Sequence, residues 1–375
     1  MVKSMKCLEA GLFSRATLKP LNEIFDFEYE KRIFREYLAS GEWFMVSGIR
    51  RVGKTTIVRS IANVIDARCI YVNLWEVDID RPFQDFIFRF MRELLSLKDS
   101  SWRQKLRSIE EVSVLGFRVR IREINRDFFL DELINSLLDK RLIVILDEIH
   151  ALENELKNFS RLLASLHDRF APRLSVVLLG SIASIRNLLE RKLEETEPLF
   201  GRVIREFNLK PFDKAKAKKF LIEGFNECGV PVSEEDIDRA VDYLGTITGW
   251  LVEFGREYTL EWRATKNVNI FDILQRVYNK GKNIVYGEIA RMLKGKKRID
   301  IYLKILKLIA SNPNISLKEL SEALKRRKPT ILQYLDYLIQ RNVIEAIKGH
   351  YNIIDPLYRR TILDPKFEIE VKKRL

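Results

Sequence analysis

Five short aliphatic runs, Trp43–Ser47, Cys69–Leu74, Leu142–Leu146, Leu174–Leu179 and Val203–Leu209, alternate with longer stretches of helical periodicity. Strands that are apolar on both faces and separated by helices predict a parallel sheet covered on each side, an α/β domain. Weaker alternation over Val112–Ile121, with Gly116 at a turn, predicts an added hairpin before the third main strand. After Pro211 the strand signal stops, and helices are expected over Lys214–Cys228 and Glu234–Leu244. The second of these is opened by Ser233 with Asp236 and stopped by Gly245. Val268–Leu293 is a helical connector, and Lys294–Arg298 a linker into a last unit. There, Ile301–Ala310 forms a first helix and Ser316 with Glu319 caps a second that runs to Leu324. Pro329 opens a third helix that continues to about Arg341. Val343–Ile347 and Tyr351–Ile354, joined across Lys348–His350, form a two-stranded wing, so this unit is a winged helix-turn-helix. The expected division is residues 1–210 for the sheet domain, of which 1–22 form an N-terminal extension, 211–293 for a helical lid and connector, and 294–375 for the winged helix.

Charge sharpens this division. The chain of 375 residues carries a net +13, and from Lys294 to Leu375 there are 19 Lys and Arg against 9 Asp and Glu. Ten of the thirteen excess positive charges therefore lie in the last fifth, the composition of a domain attracted to a polyanion. No apolar run is long enough to span a bilayer, and the first twenty residues lack the apolar segment of a secretory signal, so a cytoplasmic protein without membrane partners is expected. Three scattered cysteines (Cys7, Cys69, Cys228) predict reduced thiols and no disulfide framework, and three scattered histidines argue against a histidine-held metal.

The candidate chemistry follows the first strand. Gly48-Ile49-Arg50-Arg51-Val52-Gly53-Lys54-Thr55-Thr56 fits G-x-x-x-x-G-K-[ST] between a strand and a helix. In such a turn the glycines let backbone N–H groups surround a phosphate at a helix N-terminus. Lys54 would reach the β- and γ-phosphates, and the Thr55 hydroxyl would be a ligand of Mg²⁺. The complementary acid is expected at the end of a buried strand, and Leu142–Leu146 ends in Asp147-Glu148. Asp147 would hold Mg²⁺ and Glu148 would take a proton from the attacking water. Ser181, after the next strand, is either a sensor of the γ-phosphate or the cap of a helix over Ile182–Arg191. Arg202, with Arg205 as the second candidate, is placed to neutralise charge on the transferring phosphoryl group, within its own subunit or across to a neighbour. ATP, with ADP as product, and Mg²⁺ are the expected ligands.

With Asp147-Glu148, Gly180-Ser181 and Pro198-Leu199-Phe200-Gly201-Arg202 at these separations from the phosphate loop, the sequence resembles the archaeal AAA+ type ATPases. That group is related to the signal-transducing STAND NTPases and, more distantly, to Orc1/Cdc6-type initiators. The resemblance spans about Phe25 to Tyr358 and implies a P-loop NTPase sheet, a helical lid and a C-terminal winged helix. Two positions depart from the family pattern. Phe25-Asp26-Phe27-Glu28-Tyr29-Glu30 lacks the arginine usual before the first helix, and Thr248-Gly249-Trp250-Leu251 stands where Gly-Gly-x-Pro is common. Both concern the base end of the site.

For the winged helix, Lys325, Arg326, Arg327 and Lys328 would meet phosphates while Thr330, Gln333 and Tyr334 reach base edges of duplex DNA. Tyr337 is expected to face outward with them. The alternative is a winged helix that packs on its own ATPase core or on a protein partner. Taken together, the sequence predicts a Mg²⁺-dependent ATPase switch coupled to a DNA-contacting winged helix. The competing readings are a DNA-binding regulator with negligible turnover and a protein-interaction switch.

Overall fold

The structure, a computed structural model, describes residues 7–78, 80–98, 126–182, 184–185, 188, 198–199, 202 and 204–375. Among the described residues, five strands build the main sheet: β1 (Phe44–Gly48), β2 (Arg68–Asn73), β3 (Leu142–Asp147), β4 (Leu174–Gly180) and β5 (Arg205–Leu209). They form a sheet of order β2-β3-β4-β1-β5 in which every pair is parallel. The all-apolar pattern of β3 has its expected cause, because both of its faces are covered. Ile143 and Ile145 enter one core, whereas Leu142, Val144 and Leu146 enter the other with helices Pro82–Ser96 and Leu156–Phe170. The hairpin expected over Val112–Ile121 lies outside the described residues, as does most of the helix expected over Ile182–Arg191.

Helices Lys214–Cys228 and Glu234–Leu244 form as expected, with the Ser233 side chain accepting from the Asp236 N–H. A further helix, Thr248–Thr265, joins them and was not anticipated. Its first turn holds Thr248 and Gly249, which are poor helix formers, and tertiary contact supplies what propensity lacks. The connector is a helix of 24 residues, Ile270–Leu293.

The winged helix comprises helices Ile299–Ser311, Leu317–Leu324 and Lys328–Gln340. Its small antiparallel sheet joins β6 (Ile315–Ser316), β7 (Ile344–Ile347) and β8 (His350–Ile353) in the order β6-β8-β7. β6 is two residues long, too short to leave a sequence signal. Two helices after the wing, Pro356–Ile362 and Phe367–Lys372, return to pack on the connector. One continuous apolar core therefore runs from Val52 beside the phosphate loop, through the lid and connector, to Leu335 and Phe367.

The cysteine expectation is corrected. Cys7 and Cys228 form a disulfide with Cα atoms 5.4 Å apart, and Cys69 is the free thiol. The two are 221 residues apart and meet because the N-terminal segment is laid across the lid, a proximity that spacing along the chain does not reveal. The same segment is wedged in place by Phe13, wholly buried, whose ring fills the space that a Cβ at Gly224 or Gly255 would occupy. No helix of the described residues is long and apolar enough to cross a membrane.

Phe13→Ala is expected to cost about 3–5 kcal/mol, as for other buried phenylalanines, measured by urea unfolding of the full chain. A cost near zero would show that the segment is not anchored there.

Candidate nucleotide site

β1 ends at Gly48, and the turn that follows leads into helix Lys54–Ala62. Gly53 at the helix start has φ of 106°, and a Cβ built there meets no atom within 4 Å, so the residue borders open space. That space is a cleft of about 370 Å³, within the range of small-molecule sites. The phosphate loop and Glu148 lie at one end of it, and Phe25, Phe27, Phe212 and Phe220 supply an apolar, aromatic end. The departures from the family pattern at Phe25–Glu30 and Thr248–Leu251 both border this cleft.

Lys54 is almost fully buried and turns back on its own loop, donating from Nζ to the carbonyls of Gly48 and Ile49, each at 2.9 Å. Burial depresses its pKa, and the charges of Glu148 and Asp147 oppose that shift. Asp147 Oδ2 accepts from Thr55 Oγ1 at 2.5 Å and from the Tyr71 hydroxyl at 3.0 Å, while Oδ1 accepts from the Glu148 N–H at 2.8 Å. Burial and the neighbouring Glu148 raise the pKa of Asp147. A hydroxyl and a carboxylate that converge beside the open loop are hard oxygen donors, the kind Mg²⁺ takes one or two of while keeping waters, so the residues fit this ion.

Glu148 points elsewhere. Its backbone is left-handed (φ 58°, ψ 46°), a conformation that costs energy for a non-glycine residue and is found at functional sites. Its carboxylate lies 3.1 Å from Nδ1 of His150. Burial acts to raise the Glu148 pKa, but the His150 hydrogen bond and the charges of Arg50 and Lys54 outweigh it and hold the carboxyl well below its usual range. Burial depresses His150, whose neutral ring then serves Glu148 as a donor from Nδ1.

Other expected residues lie differently. Gly180 pairs with Ser47, so Ser181 stands level with the phosphate loop. However, its hydroxyl accepts from the Ser184 N–H at 2.9 Å and donates to the Gln340 carbonyl at 2.8 Å, which is the capping alternative. Arg202 is not brought to the loop of its own chain. It precedes β5 at the opposite edge of the sheet, where it pairs with Asp168 near the end of helix Leu156–Phe170. Arg205 is also at that edge, over the Tyr37 ring.

The phosphate loop is instead surrounded from the C-terminal side. Gly249 donates its N–H to the Arg51 carbonyl at 2.9 Å, and a Cβ at Gly249 would lie 2.7 Å from that of Arg51, so only glycine allows this approach. The Arg51 guanidinium stacks on Trp250 at 4.1 Å, and both Arg50 and Arg51 pair with Glu288 of the connector at 3.2 and 3.3 Å. Asn342, just past helix Lys328–Gln340, donates to the Gly48 carbonyl at 3.1 Å, and Arg341 pairs with Glu153 at 2.8 Å. The packed-core alternative for the winged helix is thus realised at the C-terminal end of its third helix. Two expectations for that helix are corrected. Tyr334 and Tyr337 do not face outward but pack edge-on against Tyr302, and Tyr337 donates to the Met292 carbonyl at 2.6 Å. Lys325, Arg327, Lys328 and Gln333 are exposed, with Arg326 and Thr330 half-buried beside them.

Tyr71, His150, Glu288 and Asn342 were missed by sequence reasoning. Only His150, two residues past Glu148, left a signal that could have found it.

The model of an ATPase domain predominantly from Archaea matches residues 25–254, more than half of the chain. The chain belongs to this family. A winged helix-turn-helix DNA-binding model matches residues 300–345. Among solved structures, the chain resembles the Walker-type ATPase PABY2304 of Pyrococcus abyssi with a TM-score of 0.71 at 28% identity, over 94% of this chain and 99% of that one. It resembles the ORC2 protein of Aeropyrum pernix, in ADPNP-ADP complexes, with a TM-score of 0.57 at 14% identity, over 97% and 98%, a likeness of fold. None of the curated proteins matches the sequence.

Beneath Arg51, Trp250 donates to Asp355 Oδ2 at 2.8 Å. Burial pushes the Asp355 carboxyl up to about 6, against the hydrogen bonds from Trp250 and Leu357. A raised carboxyl pKa means that the folded chain holds the proton more tightly than the unfolded one. The stabilisation is full below pH ~4 and is lost as pH rises to ~6, at most about 2–3 kcal/mol. Asp355→Asn keeps the acceptor, so its stability relative to the parent should rise across that interval in urea unfolding. A constant difference would contradict the assignment.

Proposed function

We propose that this chain binds ATP with Mg²⁺ in the cleft beside Lys54 and hydrolyses it, and that the state of the nucleotide governs how the winged helix sits on the phosphate loop. The observation that carries this reading is that Lys54, Thr55 and Glu148 line one cleft together with four phenylalanines, with Asp147 hydrogen-bonded to Thr55 beside it. On ATP binding, Lys54 exchanges the carbonyls of Gly48 and Ile49 for phosphate oxygens, and N–H groups at the start of helix Lys54–Ala62 supply further donors. Thr55 and Asp147 would hold Mg²⁺, which would supply charge neutralisation at the phosphates. Glu148, ionised and oriented by His150, accepts the proton of the attacking water. The phenylalanines at the far end of the cleft offer faces for the base.

The same geometry supports a switch. Gly48 O is a contact of both Lys54 and Asn342, and Ser181, level with the γ-phosphate end of the loop, holds the Gln340 carbonyl. Rearrangement of these donors around a triphosphate changes the seat of the winged helix. The opposite, exposed end of helix Lys328–Gln340, with Lys325 to Lys328, is the surface for duplex DNA. A regulator that binds nucleotide without turning it over is the second reading, favoured by the Ser181 hydroxyl being engaged in this arrangement.

Glu148→Gln should retain ATP binding by calorimetry while turnover falls by about 10²–10⁴-fold, the contribution of a positioned general base. Lys54→Ala should lose tight binding. Unchanged turnover in Glu148→Gln would remove the base assignment, and absent turnover in the parent would favour the regulator. Duplex DNA binding should weaken steeply with salt, and Lys325→Glu with Lys328→Glu should lower affinity and flatten the salt slope. Binding unaffected by the pair would favour a protein partner for the winged helix.

A further inference from the structure

A second cleft, of about 190 Å³, lies on the other side of the Glu148–His150 pair, between the tip of β2, the end of the connector and the winged helix. Arg50, Arg291, Lys294, Lys296 and Arg341 line it, against the single carboxylate of Glu153. These cations are gathered around two aromatic rings. Arg50 and Arg291 both stack on Trp75 at 4.4 Å, while Lys296 and Arg341 lie over Tyr337 at 4.0 and 5.1 Å.

Like charges held together cost energy unless an anion compensates them. Arg50 has Glu288 and Arg341 has Glu153. Among the described residues, Arg291 and Lys296 have no carboxylate within ion-pair distance. The pKa values of both are depressed, first by burial and next by the facing arginine, Arg50 for Arg291 and Arg341 for Lys296, with the charges of Glu76 and Glu153 respectively opposing the shift only in part. In addition, Arg341 Nε is buried with no acceptor.

We infer that this cleft is an anion site that takes a phosphate or phosphodiester group, bridging Arg291 and Lys296 to Arg50 of the phosphate loop and Arg341 of the winged helix. The volume favours a phosphate over a whole nucleotide, since small-molecule sites begin near 300 Å³. The rings are already covered by guanidinium and ammonium groups, so stacking of a base is not what the cleft offers. Its occupant ties together loop, connector and winged helix, and contacts the wall formed by His150, which orients Glu148. The group belongs either to a free polyphosphate chain or to a nucleic-acid backbone that continues past the winged helix.

The test uses the full chain saturated with ADP and Mg²⁺, so that the phosphate loop is filled. Inorganic tripolyphosphate is titrated by calorimetry, and a short fluorescein-labelled duplex by anisotropy, against the parent and against Arg291→Glu and Lys296→Glu. At least one probe should bind the parent and lose about tenfold or more in affinity in each variant, as charge reversal in a desolvated contact does, while ADP affinity and melting temperature hold. Loss for tripolyphosphate identifies a free polyphosphate as the source, and loss for the duplex alone identifies the backbone. Where a reversal unfolds the chain, Arg291→Gln and Lys296→Gln replace it, with the same direction expected. If neither probe binds the ADP-loaded parent, or the variants bind as the parent does, the inference is overturned. An absent ADP heat counts against the nucleotide reading alone, because the comparison of parent and Lys296→Glu still decides the cleft.

Discussion

The carbonyl of Gly48 is the point on which the arrangement depends. In a phosphate loop the N–H groups turn inward to the ligand, and the carbonyls must find donors elsewhere. Here Gly48 O receives Lys54 from inside the loop and Asn342 from the winged helix, while Arg51 O receives the N–H of Gly249 from the lid. Two regions remote in sequence, the lid and the winged helix, thus complete the hydrogen bonding of one turn. In the proposed switch, a ligand that moves Lys54 would change the balance of donors around Gly48 and so act on the winged helix directly.

Electrostatics reinforces this coupling. Two consecutive arginines held side by side need a countercharge, and Glu288 provides it to both. Glu288 also takes the Tyr358 hydroxyl, and Trp250 links Arg51 to Asp355, so the helix after the wing shares the network. On the acidic side, adjacent Asp147 and Glu148 avoid each other through the left-handed backbone at Glu148, which sends the two carboxylates to different partners. That separation leaves Asp147 with Thr55 and Glu148 with His150, the division that the proposed metal and proton-accepting roles require.

What the sequence revealed was local. Buried parallel strands show as aliphatic runs, and the phosphate loop and capping boxes are contiguous motifs, so the five sheet strands, the loop, and the Ser233 and Ser316 caps were legible. Helix Thr248–Thr265 was not, because Gly249 is selected by its approach to Arg51 and against helix propensity. Side-chain partners set by tertiary contact were also hidden. Tyr71 meets Asp147 only because β2 lies beside β3, and Cys7 meets Cys228 only because the N-terminal segment crosses the lid. Tyr334 and Tyr337 were read as outward from helical periodicity, which does not register the first helix of the winged unit or the connector packing against them. The edge of the sheet on which Arg202 lies could have been anticipated, since a residue before a parallel strand sits opposite the phosphate loop.

The claim that nucleotide and winged helix share the loop is tested most directly by hydrogen exchange of the full chain titrated with a slowly hydrolysed ATP analogue and Mg²⁺. The account expects exchange rates to change over Gly48–Thr56 and, at the same nucleotide concentrations, over Gln340–Ile344. A change confined to the phosphate loop, with the amides after helix Lys328–Gln340 unaffected at saturation, would contradict it.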